Sequence, residues 1–258
     1  MRIVSYNILE GGVGRADPLA EILLAQRADI VALVEADDPG VVDRIASRLK
    51  MDYIHATAGR TGAALLSRYD ILETIDHAAL GKPVGKALLE AVVNSTVAGQ
   101  WTVGVVHLTH GAYEANEQQR QQELAVVLDT FAEHRRANRP HLLVGDFNAN
   151  APYQQIDPQR CKPSTRQAWQ ANGQQIPRRV VQMLLDAGYV DTLHAVDPRA
   201  ASTAASFTTL YPGQRVDYIF VFGGNAAAKI TRAWIEQDRL AKYASDHFPV
   251  GAEIVVDQ

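Results

Sequence analysis

Leu142-Leu143-Val144-Gly145-Asp146-Phe147-Asn148-Ala149 is an apolar run that stops at a glycine and then presents two short polar side chains. A short apolar run bounded by glycine is typical of a buried β-strand. Asp146 and Asn148 stand two positions apart, so both side chains face the same side if the extended geometry continues past the glycine. A carboxylate beside apolar sequence is costly unless it is paired or bound to a metal. This strand end is therefore a candidate functional site.

Polar side chains also stand at the ends of other predicted strands. The β-branched or apolar runs bounded by Gly, Pro, Asn or Asp are Arg2–Leu9, Asp29–Glu35, Ala63–Ser67, Leu88–Val97, Trp101–Leu108 and His141–Gly145. These runs carry Asn7, Glu35 and His107 at or near their ends. Towards the C-terminus, Asp217 lies in an otherwise apolar run, and Asp246 and His247 stand together just before the last strand. Any one of them alone would more often be a turn, cap or structural residue, but together they indicate a site.

Predicted helices alternate with these strands along the whole chain. Asp17-Pro18 offers an N-cap followed by proline at the first helical position. Residues Glu114 to Arg136 carry an apolar stripe at helical spacing, and Pro177 to Ala187 ends at a glycine. No linker, repeat or charge block divides the sequence, so a single catalytic domain over residues 1–258 is expected. The one stretch without a clear pattern is Ala149 to Gln175, and so long a loop is usually functional or mobile.

Composition narrows the class of protein. The chain of 258 residues is 47% hydrophobic, which allows a substantial core. Its net charge of −4 gives no overall basic field of the kind that proteins coating nucleic acid have. Cys161 is the only cysteine, which excludes an intrachain disulfide and a thiolate-rich zinc site. The N-terminal segment lacks the apolar core of a signal peptide, and no apolar run is as long as a membrane span. A cytoplasmic protein with no stable membrane association is expected.

The chain resembles the endonuclease/exonuclease/phosphatase superfamily. Its members include pancreatic-type deoxyribonucleases, apurinic endonucleases, sphingomyelinases, inositol polyphosphate 5-phosphatases and deadenylases. The resemblance rests most specifically on Gly145-Asp146-Phe147-Asn148 and Ser245-Asp246-His247. Supporting segments are Ser5-Tyr6-Asn7, Val34-Glu35, residues 62–68, Val106-His107-Leu108 and Arg215-Val216-Asp217-Tyr218. The resemblance implies an α/β fold, a four-layer sandwich in which two mixed sheets pack face to face with helices outside.

The resemblance also assigns roles to these residues. Glu35 would be the principal ligand of Mg²⁺ or Mn²⁺, with Asn7 beside the metal and the phosphate, and Asp246 binding or orienting a metal or its water. Asp146 would orient and deprotonate the attacking water, while Asn148 holds the phosphate. Asp217 would fix the tautomer of His247 and favour its imidazolium form. His107 matches a position where nuclease-like members carry a histidine or tyrosine that contacts phosphate or assists the leaving group. His107, His247 and the metal together would offset the negative charge of the site.

The sequence departs from the family pattern in two places. Many members carry Gln before the metal-binding Glu, whereas this chain has Val34-Glu35. The stretch from Ala149 to Gln175 has no match, and loops of this kind decide the substrate in the family. The loop and the residues that follow it carry aromatic and basic side chains that could stack on or pair with a nucleotide: Tyr153, Arg160, Arg166, Trp169, Arg178 and Arg179. One motif is rejected: Gly81–Lys86 is one residue short of a phosphate loop and is followed by alanine.

Several functions remain open at this point. The sequence favours a metal-dependent phosphodiesterase or nuclease. Its substrate would be a phosphate ester, and nucleic acid is one candidate. No obligate protein partner is expected. A phosphatase or a sphingomyelinase-like phospholipid phosphodiesterase with the same residues is the main alternative. A binding protein that keeps the fold without catalysis is the other alternative. The acidic charge and the absence of a cationic amphipathic segment argue mildly against a lipid substrate.

Overall fold

The computed structural model describes residues 1–95, 99–223 and 228–256. Its strands are β1 (Arg2–Asn7), β2 (Ile30–Val34), β3 (Asp52–Ala56), β4 (Ala63–Ser67), β5 (Asp70–Asp76), β6 (Ala87–Ser95), β7 (Gly99–His107), β8 (His141–Asp146), β9 (Val190–Asp191), β10 (Asp217–Phe222), β11 (Ala228–Ile235) and β12 (Val250–Val256). Its α-helices are α1 (Ala16–Gln26), α2 (Pro39–Leu49), α3 (Glu114–Thr130), α4 (Ala132–Arg136), α5 (Pro163–Ala171), α6 (Arg179–Asp186), α7 (Thr192–Val196), α8 (Pro198–Thr203) and α9 (Ala241–Ala244). Two short 3₁₀ helices span Glu10–Gly12 and Pro158–Arg160.

The strands form two six-stranded sheets. The first has the order β11-β12-β1-β2-β4-β3 and the second the order β5-β6-β7-β8-β10-β9. Both are mixed, since β1 pairs with β2 and β7 with β8 in parallel while the other neighbours are antiparallel. The predicted α/β class is confirmed.

Three layers of apolar contact hold the sandwich together. Between the sheets, Ile30 and Leu65 of the first sheet pack in one buried cluster with Leu142 and Val144 of the second. The outer face of the first sheet packs on α1, α2 and α9. The outer face of the second sheet, which includes Leu143 of β8, packs on α3 and α6. Because successive residues of β8 point to opposite faces and both faces are covered, the strand is apolar throughout instead of alternating. The predicted four-layer arrangement is thus confirmed.

Element boundaries differ from prediction for local reasons. Helix α1 begins at Ala16, so Asp17 and Pro18 lie inside its first turn. Proline has no backbone N–H, and this costs little stability in the first turn because the N–H groups there have no partner within the helix. The predicted helix from Glu114 to Arg136 is divided at Phe131, whose fully buried ring packs under the second sheet. Helix α6 begins at Arg179 and ends at Asp186. The last two residues of the predicted strand Leu88–Val97 lie outside the described residues.

A buried ion pair fixes the start of β10. Arg215 is 2% exposed, and its Nη1 and Nη2 donate to Oδ1 and Oδ2 of Asp191 at 3.0 and 2.5 Å. The hydroxyl of Tyr153 donates to the same carboxylate, and the guanidinium lies 4.4 Å from the ring centroid of Tyr218. Burial alone would raise the pKa of Asp191, but Arg215 outweighs it and the pKa is lowered. Arg215 directly precedes Val216 and Asp217, so this pair holds the strand that carries Asp217.

Replacing Asp191 should therefore destabilise the fold strongly. Asp191→Asn leaves the Arg215 guanidinium buried without its counter-charge, and we expect the free energy of unfolding to fall by about 3–5 kcal/mol. Urea denaturation of the purified variant measures this change. Asp186→Asn, at an exposed position of α6, is the matched control and should change stability by no more than about 0.5 kcal/mol. Equal effects of the two substitutions would contradict the assignment.

Among the helices of the described residues, none combines the length and apolar character needed to cross a bilayer.

Candidate active site

The strand ends of both sheets meet at one edge of the sandwich. In the first sheet, the parallel pairing of β1 with β2 sets Asn7 beside Val34, directly before Glu35. In the second, β8 sets Asp146 opposite both His107 of β7 and Asp217 of β10. The antiparallel pairing of β12 with β1 brings the segment that precedes Val250 to the same edge, and that segment carries His247. Strand register, rather than closeness in sequence, assembles these residues.

Asn7 is the residue that links the two sheets. It is 1% exposed, and its side-chain nitrogen lies 3.3 Å from Oε1 of Glu35, 3.2 Å from Oδ2 of Asp146 and 3.4 Å from Nε2 of His247. Its side-chain oxygen accepts from the backbone N–H of Leu9 at 3.0 Å. The amide orientation is thereby fixed, with the nitrogen towards the carboxylates.

His247 lies beside three carboxylates, those of Asp217, Asp146 and Asp246. Its Nδ1 lies 2.9 Å from Oδ2 of Asp217, and its Nε2 lies 3.8 Å from Oδ2 of Asp146. Burial alone would lower the pKa of His247, but Asp217 and Asp146 outweigh it and raise the pKa to about 9. Burial, and then the charge of Asp217, raises the pKa of Asp146. The neighbouring carboxylates thus favour the imidazolium form of His247.

Asn148 contacts Asp146 through a backbone conformation that differs from the extended one predicted for it. Strand β8 ends at Asp146, and Asn148 has a positive φ of 49°, so the extended geometry does not continue. The backbone N–H of Asn148 donates to Oδ1 of Asp146 at 2.8 Å, and its Nδ2 donates to Oδ2 of Asp146 and to the carbonyl of Leu108, each at 3.1 Å. Asn148 thus fixes the orientation of the Asp146 carboxylate.

Glu35 and Asp246 are two further carboxylates at the cavity. Glu35 Oε2 accepts from the backbone N–H of Glu10 at 3.1 Å, and its Oε1 lies 3.6 Å from Nζ of Lys86. Burial would raise the pKa of Glu35, but the Glu10 amide and Lys86 outweigh it and lower the pKa. Burial raises the pKa of Asp246, whose Oδ1 is buried without a hydrogen-bond partner among the described residues.

The oxygen donors of this edge suit a hard divalent cation. Glu35 and Asp246 offer carboxylate oxygens, which Mg²⁺ and Mn²⁺ prefer, and Oδ1 of Asp246 has no hydrogen-bond partner among the described residues. The Asn7 oxygen, expected beside the metal, accepts from Leu9 instead, so its nitrogen and not its oxygen faces this edge. Asp146, Asp217 and His247 also bring one potential ligand atom each within 4.8 Å of the others. The residues present therefore fit a Mg²⁺ or Mn²⁺ ion.

His107 is neutral, which corrects the expectation that it contributes positive charge. The residue is fully buried, and burial, with the charge of Lys86 second, lowers its pKa well below the usual range. Its Nε2 lies 3.1 Å from Nζ of Lys86 and its Nδ1 lies 3.0 Å from Oγ1 of Thr61. Because an ammonium can only donate, Nε2 accepts from Lys86 and Nδ1–H donates to Thr61.

Lys86 is a residue at the site that the sequence did not indicate. It supplies the positive charge expected of His107, between Glu35 and His107. Its only sequence signal was its place at the end of the rejected Gly81–Lys86 motif. The structure shows why it reaches the site: Ala87, the first residue of β6, pairs with His107, the last residue of β7.

A cavity of about 540 Å³ is lined by Glu35, Lys86, Asp146, Asn148, Asp246 and His247. The unmatched loop, which contains a 3₁₀ helix and α5, contributes Lys162, Thr165 and Trp169 to the same lining. The arginines proposed as a substrate patch do not line the cavity: Arg160, Arg166 and Arg178 donate to backbone carbonyls, and Arg179 pairs with Glu114. Tyr153 stacks on the His194 ring and bonds to Asp191, so its contacts are within the fold and not with the cavity. Of the predicted patch, only Trp169 faces the site.

The two-sheet sandwich and its edge of carboxylates, amides and a paired histidine define a hydrolase of phosphate esters. The family model described as the endonuclease/exonuclease/phosphatase family matches residues 4–247, and the chain belongs to this family. No curated protein sequence matches the chain.

Solved structures of the same fold cover essentially the whole chain. A 3'-5' exonuclease from Neisseria meningitidis is 23% identical with a TM-score of 0.73, covering 99% of this chain and 100% of its own. An AP endonuclease from Archaeoglobus fulgidus is 17% identical with a TM-score of 0.73, and each chain is covered completely. TDP2 from D. rerio, complexed with a single-strand DNA product, is 17% identical with a TM-score of 0.68 and 98% coverage of both chains. At these identities the likeness concerns the fold.

Proposed function

We propose that the protein is a divalent-metal-dependent phosphodiesterase that hydrolyses nucleic acid by in-line attack of water on phosphorus. The observation that carries the proposal is the Asp146 carboxylate, held by Asn7 and Asn148 within 3.8 Å of the His247 imidazole and open to the cavity. A carboxylate with a raised pKa is a suitable general base, and an imidazolium beside it stabilises charge that develops on phosphoryl oxygens.

Each residue has one role in this proposal. Asp146 orients the attacking water and takes its proton. Asn7 and Asn148 hold the carboxylate and face the phosphate with their amides. Asp217 holds His247 as the imidazolium, and His247 with Lys86 stabilises the negative charge of the phosphoryl group. His107, kept neutral, receives a hydrogen bond from Lys86 and so positions that ammonium.

Glu35 and Asp246 would hold Mg²⁺ or Mn²⁺, and Asn7 would orient Glu35 through its side-chain nitrogen. When bound, the ion supplies Lewis-acid polarisation of the phosphate and offsets the charge of the carboxylates. The exonuclease, the endonuclease and the single-strand DNA complex among the solved structures support nucleic acid over the phospholipid alternative. A single catalytic domain over residues 1–258 and a cytoplasmic location remain predictions.

A substrate panel tests the proposal. With Mg²⁺ or Mn²⁺ present, we expect hydrolysis of linear single-stranded or duplex DNA or of RNA to exceed that of sphingomyelin, inositol phosphates and phosphomonoesters. Release of acid-soluble nucleotide and of inorganic phosphate are the two measurements. The inactive variant Asp146→Asn, prepared in parallel, controls for contaminating nucleases. Clear hydrolysis of a lipid or inositol phosphate beside inert DNA and RNA would move the protein to the alternative class.

A further inference from the structure

The turn that follows β1 has a left-handed backbone at two residues that are not glycine. Leu9 has a φ of 56° and Glu10 has a φ of 48°. Gly11 and Gly12 continue the run at 72° and 67°. Residues with a side chain rarely adopt this conformation, because their Cβ comes too close to the carbonyl oxygen that follows. They persist in it only where surrounding contacts fix them, and such residues gather at functional sites.

The turn orients two polar side chains of the site. The backbone N–H of Leu9 donates to the side-chain oxygen of Asn7 at 3.0 Å. The backbone N–H of Glu10 donates to Oε2 of Glu35 at 3.1 Å, and that of Gly11 donates to the backbone carbonyl of Glu35 at 2.8 Å. The direction of the Glu35 carboxylate therefore depends on the conformation of the turn.

Arg15, the residue directly before α1, holds the turn from outside. Its Nη1 donates to the carbonyl of Ile8 at 3.0 Å, and its Nη2 donates to the carbonyl of Leu9. A guanidinium carries five N–H donors in a rigid plane, so it bonds several fixed acceptors at once. A lysine ammonium is a single point charge on a flexible stem and cannot reproduce this geometry. Two consecutive carbonyls are thus fixed to one side chain.

The same guanidinium reaches the segment that carries Asp246. Nη1 of Arg15 also donates to the carbonyl of Ala244, two residues before Asp246. The hydroxyl of Ser245, between them, donates to the backbone carbonyl of Asn7 at 2.7 Å. Arg15 and Ser245 therefore both connect the end of β1 to the segment that precedes β12.

We propose that Arg15 is a positioning residue of the metal site: it holds the turn after β1 against Ala244, and so sets where the Glu35 carboxylate stands relative to Asp246. The inference rests on the proposed metal-dependent function and adds a residue that acts through others. Glu35 and Asp246 come from different segments, so holding one ion between them requires that the segments be held together. Partners that orient metal ligands contribute to metal affinity without touching the ion.

The charge of Arg15 and its bonds to carbonyls predict opposite effects on metal binding. A positive charge near the site opposes the entry of a cation, so its removal by itself would strengthen the binding of Mn²⁺. Loss of the three bonds releases the turn, so the Glu35 carboxylate is no longer held in one place and binding weakens. Arg15→Met keeps a stem of similar shape but no donor, and its effect on affinity therefore separates positioning from charge.

Titration of the metal-free enzyme with Mn²⁺, followed by the electron paramagnetic resonance signal of the free ion, measures this effect. Arg15→Met should raise the Kd for Mn²⁺ roughly ten-fold or more. Arg15→Lys keeps the charge but cannot bond the three carbonyls together, so it should also raise the Kd, by a smaller factor. Arg27→Met, which removes the same charge at the other end of α1, is the matched control and should leave the Kd unchanged. An unchanged or lower Kd in Arg15→Met, or a wild-type Kd in Arg15→Lys, would overturn the inference.

Amide hydrogen exchange of the metal-free proteins tests how Arg15 acts. In Arg15→Met, the backbone N–H groups of Glu10 and Gly11, both bonded to Glu35, should exchange faster, while those of α2 keep their wild-type protection. Faster exchange throughout β1, α1 and α2 would make Arg15 a residue of the fold only and would overturn the inference. This measurement needs neither metal nor substrate.

Glu35→Gln links the Mn²⁺ titration to the site, and it should raise the Kd as Arg15→Met does. A wild-type enzyme that binds no Mn²⁺, or a Glu35→Gln variant that binds it as the wild type does, would place the ion elsewhere. The proposed metal site would then fail together with the inference. Binding that Glu35→Gln weakens and Arg15→Met does not would remove the inference alone.

Discussion

Removal of divalent metal is expected to reduce phosphodiester hydrolysis to the background rate, and Mg²⁺ or Mn²⁺ should restore it. The physical reason is the charge at the edge of the sandwich, where Glu35, Asp146 and Asp246 line the cavity that a phosphate diester must enter. Lys86 offsets part of this charge, but it is already shared with Glu35 at 3.6 Å and with His107 at 3.1 Å. Without a divalent ion the phosphate is repelled and its developing charge is not neutralised.

The measurement is the initial rate after exhaustive chelation and after each metal is added back. Circular dichroism before and after chelation controls for loss of structure. Glu35→Gln, which keeps the shape but removes the carboxylate charge, should shift the metal concentration for half-maximal activity upwards. Undiminished turnover in the chelated enzyme would reject the metal-dependent mechanism.

Asp146→Asn is expected to lower kcat by roughly a hundred-fold or more while the fold stays intact. The amide is isosteric, so the contacts with Asn7 and Asn148 can be retained in part, but it cannot accept the proton of the attacking water. It also removes one of the three carboxylates that raise the pKa of His247, so stabilisation of the phosphoryl charge by the imidazolium weakens as well. The loss should fall on kcat more than on KM, because it affects the transition state.

The kinetic constants of purified Asp146→Asn and its thermal unfolding midpoint check this result. Asp129→Asn, an exposed carboxylate near the end of α3, is the control and should leave both unchanged. Wild-type turnover in Asp146→Asn would show that the catalytic base is elsewhere, and a large drop in the unfolding midpoint would make the residue structural.

Much of the fold and the site could be predicted because they depend on local patterns. The apolar runs that end in Asn7, Glu35, His107 and Asp146 are strands in the structure, within one or two residues of the predicted bounds. The resemblance carried by Gly145–Asn148 and by Ser245–His247 is confirmed by the family match over residues 4–247. The predicted site residues gather at one sheet edge, although Asn7 and His247 are 240 positions apart in the chain. Their roles remain to be tested by experiment.

The sequence by itself determined which residues form strands and which polar groups stand at their ends, since apolar periodicity and glycine stops act over a few neighbouring residues. Only the tertiary structure decided which of those ends meet, because pairing register brings distant segments together. The same register delivers Lys86 to the site, and burial beside that ammonium makes His107 neutral. The hydrogen bond between Asn172, just after α5, and Glu114 likewise joins segments far apart in sequence. So do the contacts that bind Arg178 and Arg179 to the rest of the fold. Burial and long-range hydrogen bonds fix the charge states and the side-chain directions of these residues. A local sequence pattern cannot predict either property, because both depend on residues that are distant in the chain.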